Sequence, residues 1–430
     1  MTKQKTKDSD SDLVRRVTRH YLESGDFNGY RYGGPLDPNI SGRDLRRFLS
    51  ALIEADEIAV RLNRFHLNPM IRRTPDAPKE RQIAMLSEAR LDHSAFIVLY
   101  PSPSVLKKAV KPKRYAGRPF SLMLAYGCAQ LEYRSFDLSV LEIYRNDPRY
   151  HYEVDDMFGY ISVTDKFYKE NKMKPSDRTI LQTFGFAYDD EMNRAVAVYL
   201  RYLHDLTPEH QQIWHTRMLE GIYRVHPDYH RATVVDDWAL SIPILTAFCM
   251  ELQHINKMCK RMTRAPLFND DFSAGKPRGL ALLIRPTAEE YRRFVLLLDK
   301  AMSDNINIDF FQNEVPREEE TERKDGRVEV RSIGTIRQFE NWLKQKFRTS
   351  DTKDIEEMFE VFRKVRKLRQ NPAHVISDDV FDQKFFRMQR ELVIEAYKAV
   401  QLIRLIFANH PACRGYKVEE VLAEGKISTY

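Results

Sequence analysis

Residues 287–302, TAEEYRRFVLLLDKAM, decide the fold class of the C-terminal third of the chain. Thr287 followed three residues later by Glu290 is a capping box, in which a hydroxyl and a carboxylate satisfy the free amides of a helix start. Behind it Tyr291, Phe294, Val295, Leu298, Ala301 and Met302 recur at three- and four-residue spacing, so the predicted helix has one apolar face. That face needs partners, and the sequence beyond supplies them. Thr335 is placed to cap a second helix, with Ile336, Phe339, Trp342, Leu343 and Phe347 as its stripe. Ile355, Met358, Phe359, Phe362 and Val365 mark a third, and Phe381, Phe385, Met388, Leu392, Ala396, Ala399 and Ile403 a long fourth. Four amphipathic helices joined mostly by short connections predict a four-helix bundle.

Upstream the texture changes. The first dozen residues have the composition of disorder, and residues 12–23 and 41–61 read as helices around a glycine-rich turn at 29–35. Short β-prone runs at 95–100, 122–131, 139–145 and 160–164 predict a small sheet. Residues 183–206 read as a hairpin about the polar turn DEMN, with helix as the alternative for the second half. Thr207 and Pro208 are an N-cap and first-turn pair for a helix reaching 219, and residues 238–262 form a long apolar helical run. The segment RAPLFNDDFSAGKPRGLALLIR, 264–285, has the prolines, glycines and acidic pair of an interdomain connection. The predicted class is therefore α+β, mainly α. It has a mixed α+β domain over 1–263, a linker at 264–286 and a helical domain over 287–430; if the helical domain carries chemistry, the first domain is left a sensing, regulatory or substrate-selecting role. The charged PREEETERKDGR, 316–327, is expected to be an exposed loop.

A chain of 430 residues exceeds one ordinary core, which agrees with two domains. No apolar run approaches the roughly 20 residues that a bilayer crossing demands, so no membrane partner is expected. The opening MTKQKTKDSDSD lacks the apolar core of a secretory signal, and Cys128, Cys249, Cys259 and Cys413 form no Cys-x-x-Cys pair. These features predict a cytoplasmic protein without a disulfide framework or zinc ribbon. A formal charge of +7, a modest excess over 430 residues, permits an anionic partner. Phosphate-binding glycine loops, nucleophile elbows and kinase signatures are missing, and no cofactor is expected. His204, His210, His215, His226 and His230 lie near Asp236 and Asp237, but Pro227 interrupts the helix that would align two imidazoles. They are read as ordinary histidines, and no metal is expected. The segment LKKAVKPKRYAGRPF, 106–120, interleaves Lys111, Lys113 and Arg114 with Tyr115 and Phe120. That composition suits single-stranded nucleic acid, with a flexible basic loop as the alternative.

Between the third and fourth helices stands LRQNPAH, 368–374. Asn371 and Pro372 are an N-cap and first-turn pair, which predicts that Ala373 and His374 open a helix whose free amides and dipole welcome an anion. The same dipole disfavours a protonated imidazole and so keeps a neutral base available at His374. Arg369 closes the preceding helix and carries a planar fork suited to phosphate oxygens. An Arg and a His at this spacing, at the junction before the last long helix of a small bundle, resemble the motif of HEPN-family ribonucleases. The resemblance covers about the last third of the chain and does not reach residues 1–263. It implies metal-independent RNA cleavage with Arg369 and His374 as the catalytic pair. The 2′-hydroxyl would attack to leave a 2′,3′-cyclic phosphate, in a homodimer that joins two motifs into one cleft. It implies further a toxin or abortive-infection effector of anti-phage defence, with an antitoxin or trigger protein as partner. Gln370, where the family often has Asn, His or Asp, and Asn371 would support the site. Arg363, Lys364, Arg366 and Lys367 make a basic approach to the motif, readable as an RNA track or equally as a solvated helix face. The alternative for the whole chain is a non-catalytic dimerisation or nucleotide-binding bundle whose N-terminal part engages a partner.

Overall fold

The computed structural model describes residues 2–32, 41–62, 70–89, 91, 96–155, 157–170, 174–235, 241–322, 328–347, 352–370 and 378–429. About 51% of the chain is helical and 16% strand, so the α+β, mainly α class holds. The chain forms two compact units, Met1–His151 with Gly159–Asp236, and Tyr152–Phe158 with Asp237–Tyr430.

The first unit contains two sheets. In the smaller, Ile97–Pro101 runs antiparallel between Tyr30–Tyr32 and Ile58–Leu62 and is buried along its length. Leu13 and Val17 of the helix Thr2–Glu23, Leu45, Leu49 and Leu52 of Gly42–Glu54, and Leu86 of Lys79–Glu88 pack on it with Leu99. The single helix expected over 41–61 is instead a helix and a strand. Ser41 caps the helix by accepting from the Asp44 amide at 3.1 Å, and Asp56 then turns the chain at a left-handed φ of 58°. The β-branched Ile58 and Val60 continue as strand, the conformation in which such side chains pack best. The helix starting at Thr2 likewise occupies the stretch whose composition suggested disorder.

In the larger sheet Tyr133–Phe136, Arg194–Tyr199, Leu181–Tyr188 and Phe158–Val163 lie in that order, and Arg224–Val225 also pairs with Leu181–Tyr188. The predicted hairpin is present. Asp189 closes its turn, its carboxylate accepting from the amides of Glu191 and Asn193 at 3.0 and 2.8 Å. Gly185 carries no side chain because the buried ring of Tyr229 lies where its Cβ would be, about 2.1 Å away. Two expected strands are helical. Pro119 starts a helix to Ala125, and Asp137 caps a turn at Leu138–Leu141 that leads into Glu142–Arg145. Short apolar runs do not distinguish strand from buried helix, and the proline and the aspartate cap decide here.

In the second unit all four expected helices are present, as Ala288–Met302, Thr335–Lys346, Lys353–Gln370 and Lys384–Ala408. A fifth helix, Ile244–Arg261, shares their core and packs most extensively against Lys384–Ala408. The division therefore falls near residue 236 rather than at 264–286. Leu267, Phe268, Leu280 and Leu283 within the supposed linker are buried in that core. Glu251 and Arg404, 0% and 7% exposed, join the two helices through a bidentate ion pair.

Local signals hold with amendments. The Thr287 hydroxyl accepts from the Glu290 amide at 3.2 Å, while the Glu290 carboxylate reaches past the cap to the amides of Ile284 and Arg285. Gly334 rather than Thr335 occupies the cap of the next helix, and the Thr335 hydroxyl donates to the Ser303 carbonyl. The expected loop at 316–327 includes a strand, Glu318–Glu322, paired antiparallel with Val328–Ser332. The long helix begins at Lys384, and the helix start predicted at Asn371 and Pro372 lies outside the described residues. Residues 378–380 are irregular, and Phe381, predicted within the helical stripe, is 65% exposed and bridges to Thr287. Among the described residues no helix is long and apolar enough to cross a membrane.

Candidate functional site

Arg369 occupies the last turn of Lys353–Gln370, and its surroundings come from the end of Ala288–Met302. Asp299 lies on the buried face of that helix and is fully excluded from solvent. Two residues after the helix, Asp304 is about one-third exposed. Arg369 Nη1 donates to Asp299 Oδ2 at 2.7 Å and also to Asp304 Oδ2. One turn earlier, Arg366 donates from Nε to Asp299 Oδ1 at 3.1 Å and from Nη2 to Asp304 Oδ1 at 2.6 Å. A buried carboxylate is tolerated only when paired and hydrogen-bonded, and here two guanidinium groups meet both of its oxygens.

Two consequences follow. The hydrogen bonds it donates to Asp299 and then to Asp304 raise the Arg369 pKa, so the side chain is a fixed, permanent cation. The four groups also balance, two arginines against two aspartates, which makes the cluster formally neutral. Arg369 is only partly buried, and its Nε and Nη2 make no hydrogen bond to another described residue. They remain available to an acceptor.

Of the sequence-predicted pair, only Arg369 is among the described residues; His374 and Asn371 lie outside them. Gln370 is exposed at the last position of the helix. Beyond residue 377 the chain is tied to the start of Ala288–Met302. The Ala288 amide donates to the Val380 carbonyl at 2.9 Å, the Glu289 amide to Asp379 Oδ1 at 2.8 Å, and the Asp382 amide to the Pro286 carbonyl at 2.9 Å.

The basic approach to the motif is mostly paired. Arg363 is held by Glu340 and by Glu360, the latter at 2.7 Å, and Lys364 by Glu395 at 2.6 Å. Lys367 is exposed and has no acidic partner among the described residues. Exposed pairs of this kind contribute little stability, yet they reduce the net positive charge along the face.

The histidines of the first unit are distributed rather than gathered. His204 contacts Ser121 Oγ at 2.8 Å and the Gly25 carbonyl at 2.9 Å, and His226 Nδ1 accepts from the Asp228 amide. His230 meets the Tyr199 hydroxyl at 3.2 Å. Asp236 and Asp237 lie outside the described residues. His210 belongs to a directional chain. Trp214 Nε1 donates to the Tyr144 hydroxyl at 2.9 Å, and that hydroxyl pairs with His210 Nδ1 at 2.6 Å. On the other side of the ring the Tyr150 hydroxyl gives its proton to the Asp177 carbonyl at 2.9 Å and is an acceptor toward His210 Nε2, so a neutral imidazole carries its proton on Nε2 and accepts from Tyr144 at Nδ1. Among the described residues one further grouping has ligand-like spacing, Asp26, His204 and Asp205, but both nitrogens of its histidine already have partners. Lys111, Lys113 and Arg114 are all exposed in the first unit, and Lys111 and Arg114 line a cavity there whereas Lys113 does not.

Sequence reasoning missed Asp299 and Asp304. The signal for Asp299 was present: with Val295 four residues before and Met302 three after, it interrupts an apolar stripe. Comparison with protein-family models, curated proteins and solved structures found no match to this chain.

Proposed function

We propose that the chain is a metal-independent endoribonuclease whose chemistry is carried by Arg369 and His374, acting as a toxin or abortive-infection effector. The observation supporting this most directly is the anchoring of Arg369. A guanidinium fixed by a solvent-excluded carboxylate, with Nε and Nη2 uncommitted, is the preorganised cation that phosphoryl chemistry uses, and it stands five residues before a histidine. In the proposed reaction neutral His374 takes the proton of a ribose 2′-hydroxyl. The 2′ oxygen bonds to the adjacent phosphorus and the bond from phosphorus to the 5′ oxygen breaks. A proton returned to that oxygen, from imidazolium or water, leaves a 2′,3′-cyclic phosphate and a 5′-hydroxyl end. Arg369 holds the non-bridging oxygens, on which charge accumulates in the transition state. Gln370 and Asn371 would support the site, and a homodimer bringing two such motifs together would complete the cleft.

One observation favours a second reading, a non-catalytic helical dimerisation or nucleotide-binding module. The formal neutrality of the Asp299, Asp304, Arg366 and Arg369 cluster is what a purely structural network would show. RNA cleavage in the presence of EDTA separates the two readings. With His374→Ala the rate is expected to fall by about 10²–10⁴, the range of general acid–base contributions. Arg369→Ala is a weaker test, because it removes one of the two partners of a buried carboxylate. Unchanged cleavage by His374→Ala, or cleavage abolished by EDTA, would refute the assignment.

A further inference from the structure

The first unit carries a groove that the catalytic reading does not use. Its walls are the helix Thr2–Glu23 and the stretch from the helix Pro103–Ala109 to the turn Pro112–Tyr115, and the end of Gly42–Glu54 closes it, enclosing about 950 Å³. Val14, Leu22, Leu52, Val105 and Val110 supply apolar lining. Five cations line the same groove. Arg15 and Arg19 are one turn apart on the first wall, and Lys108, Lys111 and Arg114 follow at three-residue steps on the second. All five are exposed, and Glu23 and Glu57 are the only carboxylates among the lining residues, so the lining carries a net charge of five minus two, or +3. Apart from an exposed pair between Arg15 and Asp12, none of the five has an acidic partner among the described residues. Tyr115, half-buried, also lines the groove, its ring 6.3 Å from that of Phe27.

We propose that this groove binds single-stranded RNA through its phosphate backbone, with a base stacked on Tyr115. The cations are spread over two segments of chain, two along the first helix and three at three-residue steps along the second stretch, a distribution that suits a linear polyanion better than a lone phosphate. Sites for small ligands depend on a few well-placed, sheltered polar groups. Here the polar groups are long exposed cations on an apolar floor, the combination that holds a strand irrespective of sequence. The contrast with Lys353–Gln370 is direct: there the basic side chains are mostly neutralised by carboxylates, and here they are not.

The inference is independent of Arg369 and His374, and its test keeps it so. The full chain is titrated against a fluorescent 2′-O-methyl oligouridine of about 12 nucleotides, within the span of known single-strand sites. A nuclease that needs a free 2′-hydroxyl does not cut this probe. Lys111→Glu with Arg114→Glu is expected to lower affinity at least tenfold and to flatten the slope of log K against log salt by about 1.4, roughly 0.7 for each lost phosphate contact. Tyr115→Ala should weaken binding about tenfold with the slope unchanged, since stacking releases no counterion. Lys113→Glu, exposed beside the groove but not in its lining, should stay within threefold of the parent. All substitutions are at exposed or half-buried positions, and matched thermal transitions confirm that each variant is folded. The proposal is overturned if the parent does not bind the probe at low salt, if the double reversal binds as the parent does, or if Lys113→Glu is as damaging as the double reversal. It is overturned too if the groove substitutions abolish adsorption to anionic vesicles while leaving oligonucleotide binding intact.

Discussion

Neutralising Glu251 should destabilise the second unit far more than replacing the whole ion pair. Glu251 is completely buried and Arg404 is 7% exposed, so after Glu251→Gln the guanidinium cannot recover water without leaving the core. Breaking a buried pair by removing one partner costs about 3–5 kcal/mol, mostly the desolvation of the charge left behind. For a unit of this size each kcal/mol lowers the melting temperature by roughly 2–4 °C, which gives a fall of roughly 6–20 °C. The paired replacement Glu251→Met with Arg404→Leu removes both charges and fills the space with apolar atoms, an exchange that is often neutral or stabilising. Thermal and urea unfolding of the intact chain, followed through the buried Trp342, measures both variants and the coupling between them. A single-variant cost below about 1 kcal/mol would refute the reasoning, and so would a double variant as unstable as the sum of its parts. Either result would mean that Ile244–Arg261 is not docked on Lys384–Ala408 as described.

Two further outcomes are expected. Burial lowers the His210 pKa below the ordinary 6.5, against smaller upward effects of Asp177 and Glu209. The unfolded chain therefore takes up a proton on falling below pH 6.5 before the folded chain does. This contribution to stability is complete above pH 6.5 and declines by up to about 1.4 kcal/mol per pH unit below it, until the lowered folded pKa is reached. His226, also buried with a lowered pKa, adds a similar slope, so His210→Gln should remove part of the dependence seen in urea titrations between pH 7 and 5.5; an unchanged dependence would count against it. A fragment starting at residue 287, where the sequence alone places the domain, loses the partner of the longest helix and should unfold without cooperativity. One starting at 241 keeps Ile244–Arg261 and should melt more sharply, and equal behaviour of the two in calorimetry would argue against the observed division.

What the sequence revealed depended on the range of the signal. The stripes that contain Tyr291, Phe339, Phe359 and Leu392 were readable because helical periodicity is a property of a few turns, and each of these residues is buried in the second core. The Thr287 cap and the Asp189 turn were readable for the same reason. Allegiance to a core is not local. Nothing in residues 244–261 says which domain their apolar face will join, and the prolines and glycines of 264–285 resembled a linker although Leu267, Phe268, Leu280 and Leu283 are buried. The strands expected at 122–131 and 139–145 failed because apolar composition was weighed above Pro119 and Asp137. At the candidate site, the sequence singles out Arg369 through its setting, but not its ion-pair partners 65 and 70 residues earlier. Charged residues placed on a buried stripe, as Asp299, Glu251 and Arg404 are, were the one clue in the sequence to such long-range pairs.

Under the proposed function, the engagement of Arg369 changes what an arriving phosphate would have to do. The guanidinium is not an empty receptor: a phosphate that takes over Nη1 must compete with Asp304, the partly exposed partner, while Asp299 stays buried behind it. Binding that reaches Nη1 is then an exchange of one anion for another, and it sends a carboxylate back into water. An exchange of this kind has a threshold. Simple monovalent anions gain too little to displace a chelated aspartate, whereas a polyanion already held elsewhere along its backbone arrives at high local concentration. The arrangement would thus favour ligands by their length and discourage occupation by the small anions of the solvent.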